Sequence, residues 1–356
     1  MRACRGCGGR QLQRVLDLGA VPAADHFPAA TDPVRADEIA HRLAMDLCSA
    51  CWLAQLAEDD TVTAEPRGVE PQALKDQAAD AVSRVAEAGR LTGSTVREFG
   101  SPHGGSWLGL LAERGFGQPD APDAPADVVL DCFGIMHEPD QAAAFAQRAA
   151  TTAPGGVLLL QYHSLETIVR LGQWNALRHG HFAYYSPAAL NRLLARVGMT
   201  VVDTWDFDLY GGTVLVAAVH AASRRIAAQA PIDACTESLR SGALQQAAEA
   251  QVRTLRDWLQ AQRHSGLRVY GYGAASRAVA QFALAGLDRS LLVAVADAAP
   301  AKQGRRMPGT DIAVISPHQL VAADPDLVLL TLPDLLGEVS ARLPELAGRW
   351  VCIDQL

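Results

Sequence analysis

The spacing of apolar and polar positions changes several times along the chain, and each change marks an element. Residues 69–91 carry apolar side chains at helical spacing. Residues 94–100 predict a short strand that runs into a glycine-rich turn, with a helix over 107–114. Strands are expected at 128–133 and 157–161, separated by an Ala-rich helix over 141–152 that stops at Pro154-Gly-Gly156. A helix over 187–197 carries Leu190, Leu193, Leu194 and Val197 on one face, and 199–206 and 214–220 predict a strand pair. Residues 221–265 read as a helical arm; no strict heptad persists, so it is not a coiled coil. From Leu267 the chain gives a strand, a glycine turn and a helix start, then strands at 291–296, 326–331 and 350–353.

Strands that alternate with helices predict an α/β fold with doubly wound sheets. The boundaries fall at a module over 1–60, a first α/β domain over 61–222, a helical linker over 223–265 and a second, doubly wound domain over 266–356. A chain of 356 residues has room for two or three domains. Its 49% hydrophobic and 20% charged residues suit a soluble protein with real cores. A net charge of −8 argues against nucleic acid or an anionic membrane as partner, and leaves room for a small anion held by a few arginines. No apolar run approaches the ~20 residues of a membrane span. The start, Met-Arg-Ala-Cys, has no apolar signal core, so a cytoplasmic location is expected and the seven cysteines are read as thiols or metal ligands rather than disulfides.

Four of those cysteines form two C-x2-C pairs, Cys4/Cys7 and Cys48/Cys51, with 40 residues between the pairs. This spacing reads as a tetrahedral zinc site with every position filled by protein, and so as a structural zinc. Gly6 and Gly8 suit the tight turn that brings two sulfurs to one side. Cys132, Cys235 and Cys352 read as small core residues.

The two α/β domains differ at one point. Glu98-x-Gly100-x-x-x-Gly104 resembles the glycine loop of a nucleotide site. Such a site needs a second strand, ending in an acidic residue about 20 residues on, to hold the ribose hydroxyls. Here residues 115–127 are rich in Pro, Asp, Gly and Ala, and the next strand starts 23 residues after Gly105. The second strand and its helix do not fit, and the acidic candidates Asp120 and Asp123 sit in a loop. In the last domain the glycine turn of Gly271 and Gly273 is followed by a strand that ends at Asp297, 24 residues after Gly273. Gly271, Gly273, Ala274 and the helix start at Arg277 serve there either a nucleotide or helix–strand packing.

The stretch from Arg178 to Ser186 puts two imidazoles, two phenols, a guanidinium and a hydroxyl into nine residues. If it is extended, His179 and His181 point the same way. A neutral imidazole there can take a proton near neutral pH.

Together these motifs resemble the nucleotide-ketosugar C-methyltransferases of antibiotic deoxysugar pathways, almost end to end. The resemblance rests on Cys4/Cys7/Cys48/Cys51, Glu98-Phe-Gly-Ser-x-x-Gly104, His137-Glu-Pro-Asp140, His179-Gly-His181-x-x-Tyr-x-Ser186, Gly211-Gly212-Thr213, Gly271-Tyr-Gly-Ala-Ala275, and the run from Lys302 to Thr310. It implies a zinc-binding module, a class I methyltransferase-like sheet and an appended Rossmann-like domain. It implies His181 as the base that removes the proton beside a sugar ketone, with His179, Tyr184 and Arg178 around it. Glu98, Gly100, Gly104 and His137 would face S-adenosylmethionine. Tyr185, Gly211, Gly212, Gly271, Gly273, Ala274 and Arg277 would face the nucleotide-linked ketosugar.

This chain departs from the family at five places, one of them the run Thr61-Val-Thr-Ala-Glu-Pro-Arg67, which stands where the family has a tyrosine-bearing segment after the knuckle. Arg178 stands where the family has Tyr, Gly180 where it has Glu and His103 where the glycine loop has an acid, and the strand that bears the ribose-binding acid is missing. Three readings stay open: a C-methyltransferase with a trimmed donor pocket, a donor-free ketosugar epimerase or isomerase, and a non-catalytic scaffold.

Overall fold

The structure is a computed structural model that describes residues 2–61, 70–100, 105–221 and 233–356. Gly104 and His103 lie outside the described residues. In chain order the N-terminal module supplies β1 (Leu12–Val21), β2 (His41–Cys48) and β3 (Ala54–Leu56). The middle domain runs α1 (Gln72–Glu87), β4 (Val96–Phe99), α2 (Leu108–Ala112), β5 (Ala126–Cys132), α3 (Gln141–Thr151), β6 (Thr152–His163), α4 (Leu165–Arg170), β7 (Ala183–Tyr184), α5 (Pro187–Arg196), β8 (Met199–Phe207) and β9 (Thr213–His220). Two helices follow, α6 (Ala234–Arg240) and α7 (Ala243–His264). The last domain holds β10 (Val269–Tyr272), α8 (Ser276–Leu284), β11 (Ala294–Ala296), β12 (Ala313–Ile315), α9 (Pro317–Ala323), β13 (Leu327–Leu330), α10 (Leu336–Arg342) and β14 (Trp350–Cys352).

The middle sheet has the order β4-β5-β6-β9-β8, with β4, β5 and β6 parallel and β9 and β8 antiparallel. Its inner strands β5, β6 and β9 are largely buried, as covering helices require, while the edge strands β4 and β8 are more open. Leu158, Leu160 and Tyr162 pack toward Ala144, Leu190 and Leu193, while Val157 and Leu159 pack toward Ala81, Val85 and Trp107. Among the described residues the sheet stops beyond β4, in line with the missing strand. The free side of β4 takes a single parallel bridge, Thr95 to Gly117, with Val96 N donating to Gly117 O at 2.8 Å. Arg97 covers the rest of that edge, donating to the carbonyls of Ala124 at 2.8 Å and Ala121 at 2.7 Å. A blunted edge of this kind resists pairing with another chain. Asp120 and Asp123 are exposed in the loop beside it.

The last sheet is parallel throughout, in the order β12-β11-β10-β13-β14. Here the strand after the glycine turn is present. The order reverses beside β10, and such a switch point opens a crevice at the strand ends.

The N-terminal module is not self-contained over 1–60. Its sheet, β1-β2-β3-β7, is completed by Ala183–Tyr184 of the histidine segment, with Ala54 paired to Tyr184 and Gln55 to Ala183. Its loop over 22–40 grips the last domain. Arg306 is buried there and donates to Glu38, with NH2 to Oε1 at 2.6 Å and NH1 to Oε2 at 2.8 Å. The pair holds the Glu38 carboxyl down at about 2. The linker helix α7 packs Leu244 and Ala248 against the module's Leu16 and Leu18. The module therefore touches both α/β domains, and it fixes the register of the segment that carries His181.

Candidate functional site

The four cysteines meet as the sequence predicts, with their sulfurs all within 4.8 Å of one another. Cys4 Sγ lies 3.5 Å from Cys51 Sγ, and Cys7 Sγ 3.6 Å from Cys48 Sγ. The amides of Gly6, Gly9 and Ala50 each point at a sulfur at 3.4 Å, the second-shell bonds that hold thiolates in place. Sulfurs about 2.3 Å from a tetrahedral zinc sit at such separations, so the donor set fits that ion. Gly6 leaves no room for a side chain, since a Cβ there would lie 2.6 Å from Leu193 of α5. The knuckle thus packs against the middle domain.

A cavity of about 280 Å³ opens where all three parts meet. The module supplies Asp25 and Phe27, the middle domain Met136, His163, Asn175, Arg178, His181 and Tyr210, and the last domain Gly273, Arg277, Asp297, Lys302 and Arg342. It faces the ends of β10 and β13, at the switch point.

His181 reaches this cavity and His179 does not. The segment is a turn rather than a strand at this point. His181 N donates to Arg178 O at 3.3 Å, and Gly180 has a φ of 78°, which glycine tolerates. The turn separates the two rings. His179 points inward to Arg42 O, 3.3 Å from its Nε2, with His41 edge-on at 5.9 Å. Burial pushes its pKa down. The expectation of two imidazoles on one face is corrected. His181 packs edge-on against His137, 4.2 Å between centroids, and its Nε2 accepts from Arg178 Nε at 2.8 Å. His137 is held down at about 4 by burial and then by Arg178.

Tyr184 is buried. Its hydroxyl donates to Ala176 O and accepts from Arg178 N, both at 3.2 Å, and burial raises its pKa. It braces the backbone of Arg178 and does not line this cavity. Tyr185, read as substrate-binding, is a core residue. It packs against Phe145 and Tyr162, and its hydroxyl donates to Gln141.

The expected donor-binding residues stand apart from the cavity. Glu98 is spent on α2: Oε1 accepts from Trp107 N at 2.7 Å and Oε2 from Ser106 Oγ at 2.5 Å. Trp107 is buried against Val96, Leu111 and Leu130. Gly100 is exposed, and its carbonyl backs Gly134, where a Cβ would lie 2.8 Å away. Neither these residues nor His137 line the cavity.

Of the residues expected to face substrate, Gly273 and Arg277 line the cavity. Gly271 is a packing glycine, where a Cβ would meet Val295 at 3.0 Å. The Ala274 amide is already committed to Asp297 Oδ2 at 2.8 Å, and its carbonyl accepts from Lys302 Nζ at 2.7 Å. Gly211 and Gly212 press on Gln173 and Thr167 behind the wall; their neighbour Tyr210 is the one that lines it.

Arg277 has no hydrogen-bond partner among the described residues. Burial and then Arg178 pull it down to about 10, opposed by Asp334, so it stays charged at neutral pH. Sequence reasoning missed His163, Asn175, Tyr210 and Arg342 as lining residues. The available signal was position, since His163 ends a buried strand at the sheet's carboxyl edge.

Domain profiles match the chain in the same order as its parts: a zinc binding domain over 4–65, a methyltransferase domain over 115–204 and a C-methyltransferase C-terminal domain over 208–353. The C-methyltransferase NovU of Streptomyces niveus is 26% identical over 381 aligned positions, covering 92% of this chain and 88% of that protein. Magnesium protoporphyrin IX methyltransferase of Synechocystis PCC 6803 overlays 43% of this chain and 90% of its own, at 15% identity and a TM-score of 0.30. An S-adenosylmethionine-dependent methyltransferase of Mesorhizobium loti overlays 40% and 98%, at 14% identity and a TM-score of 0.31. Scores of that size carry no argument here. The three domains, in order from residue 4 to residue 353, together with the near end-to-end relative, bear out the resemblance to the C-methyltransferases that the motifs carry.

Proposed function

We propose that the chain is an enzyme acting on a nucleotide-linked ketosugar, with His181 as the base that removes the proton beside the ketone. Methyl transfer is the family reaction, but the donor side of this chain is reduced. The observation that carries the reading is the cavity, which brings His181 and Arg178 together with Arg277 and Gly273 at the last sheet's switch point.

The chemistry follows from the charges. Arg178 disfavours the charge on Arg277, and an anion between the two guanidiniums relieves this. A diphosphate suits paired guanidiniums. The Nε2 lone pair of His181 is covered by Arg178. A substrate anion that competes for that guanidinium frees the lone pair when substrate is in place. The developing enolate then has a cation beside it. Zinc on Cys4, Cys7, Cys48 and Cys51 would supply structure only, because four thiolates leave no open position.

S-adenosylmethionine has little to hold it on this reading. β4 has β5 alone beside it among the described residues, and Glu98 is taken up by Ser106 and the Trp107 amide. Enolate chemistry without a donor, as epimerisation or isomerisation, is therefore favoured over methylation.

Solvent deuterium exchange into dTDP-4-keto-6-deoxyglucose, without methyl donor, tests the reading. The wild type should label the carbon beside the ketone, and His181→Asn should slow labelling by roughly 10²–10⁴-fold, as expected for a general base. Exchange at wild-type rate in the variant would reject His181.

A further inference from the structure

His163 ends β6 on the cavity wall and has no counterpart among the motif residues. Its Nε2 lies 3.1 Å from Gln173 Oε1, so the ring donates from Nε2 and keeps an unprotonated Nδ1. Gly211, whose φ is 75°, leaves the room that the Gln173 amide occupies, since a Cβ there would fall 1.8 Å from Gln173 Nε2. Nδ1 has no hydrogen-bond partner among the described residues, and it is not sealed from the cavity. Beside it, Asn175 gives its Nδ2 to Gln281 Oε1 at 3.2 Å, and no described group donates to its Oδ1. This wall presents two acceptors, where Arg178 and Arg277 on the same cavity are donors.

An acceptor without a protein partner on the cavity wall suits a donor on the ligand. Burial, then Arg277 and Arg178, hold His163 down at about 3, so the ring is neutral and too weakly basic to take a proton from carbon. We propose that Nδ1 of His163, with Oδ1 of Asn175, accepts hydrogen bonds from ring hydroxyls of the sugar and selects ketosugars that retain a hydroxyl there over deoxygenated ones. The proposal rests on the ketosugar reading above. A site built to pair a hydroxyl rejects the analogue that lacks it, because the buried acceptor is left without a partner.

Calorimetric titration with dTDP, dTDP-4-keto-6-deoxyglucose and the 2-deoxy and 3-deoxy counterparts of that sugar nucleotide tests it. Wild type should bind the hydroxylated sugar about tenfold or more tightly than at least one deoxy counterpart. His163→Phe should bring that ratio to about one by weakening the hydroxylated sugar alone. His163→Asn carries an amide oxygen near the place of Nδ1 and should restore much of the ratio. Unchanged dTDP affinity reports that each variant is folded. A wild type that does not distinguish the sugars, or a His163→Phe variant that weakens all of them equally, overturns the assignment alone. A wild type that binds no sugar nucleotide more tightly than dTDP overturns the ketosugar reading, and this proposal with it.

Discussion

The two α/β sheets of this chain start alike and diverge one strand later. Each has a strand, then glycines in the sequence, then a helix. In the last sheet the next strand, β11, pairs with β10 and is followed by Asp297, whose carboxylate organises the turn through the Ala274 amide. In the middle sheet the corresponding side of β4 takes a single bridge at Gly117, and Glu98 turns back onto its own helix. The difference teaches that a glycine loop is half a site. Its amides gain a ligand only when the neighbouring strand builds the opposite wall, and the cavity lies against the sheet that has both.

The zinc module holds the two sheets in this relation, so its loss has the largest expected effect. Structural zinc contributes roughly 10–16 kcal/mol to folding of small modules. Cys48→Ser, or exhaustive chelation, should abolish catalysis and expose the amides of Ala183 and Tyr184 to hydrogen exchange, because β7 is held by β3. Protected β7 amides in metal-free protein would separate the module from the site.

Acid should separate the sheets next. His137, His163 and His179, all from the middle domain, have pKa values lowered by burial. A group whose charged form is disfavoured in the fold binds more protons when unfolded, so stability is lost as pH falls below 6.5 toward the folded pKa. For His137, from 6.5 to about 4, this is on the order of 3 kcal/mol. Hydrogen exchange at pH 5 against pH 7 should rise at the ends of β5 and β6 before it rises in β10. Uniform loosening would remove this distinction.

The nucleotide side is sharpened by Arg277→Met, which keeps bulk and removes charge. Loss of one charge-assisted contact, about 1.5–3 kcal/mol, should weaken dTDP roughly ten- to a hundredfold by calorimetry. Unchanged affinity would move the nucleotide away from the switch point.

Much of this was legible in the sequence, and the exceptions share a cause. Cys4/Cys7 and Cys48/Cys51, the strands of both sheets and the gap after Gly105 follow from local spacing. β7 is two residues long, and only its pairing with β3 makes it a strand. The split between His179 and His181 depends on a left-handed Gly180, which reads equally well as extended chain. Tyr185 looks polar in sequence and is core because Gln141 meets its hydroxyl from another helix. Gly271 has the spacing of a ligand glycine, yet it serves Val295. Each of these is decided by a partner far away in the chain.

The central claim is that the middle sheet has lost its hold on the methyl donor while the cavity beside it keeps its base. Loss of a charged acceptor for the ribose hydroxyls costs about 1.5–3 kcal/mol, or roughly ten- to a hundredfold in affinity, and the absent wall removes apolar contacts besides. Calorimetric titration of the zinc-loaded full-length protein with S-adenosylmethionine, with and without dTDP-4-keto-6-deoxyglucose, measures this directly. The account predicts weak or undetectable heat for the donor in both titrations. Low-micromolar donor affinity, or methylated sugar in the same mixture, would contradict it.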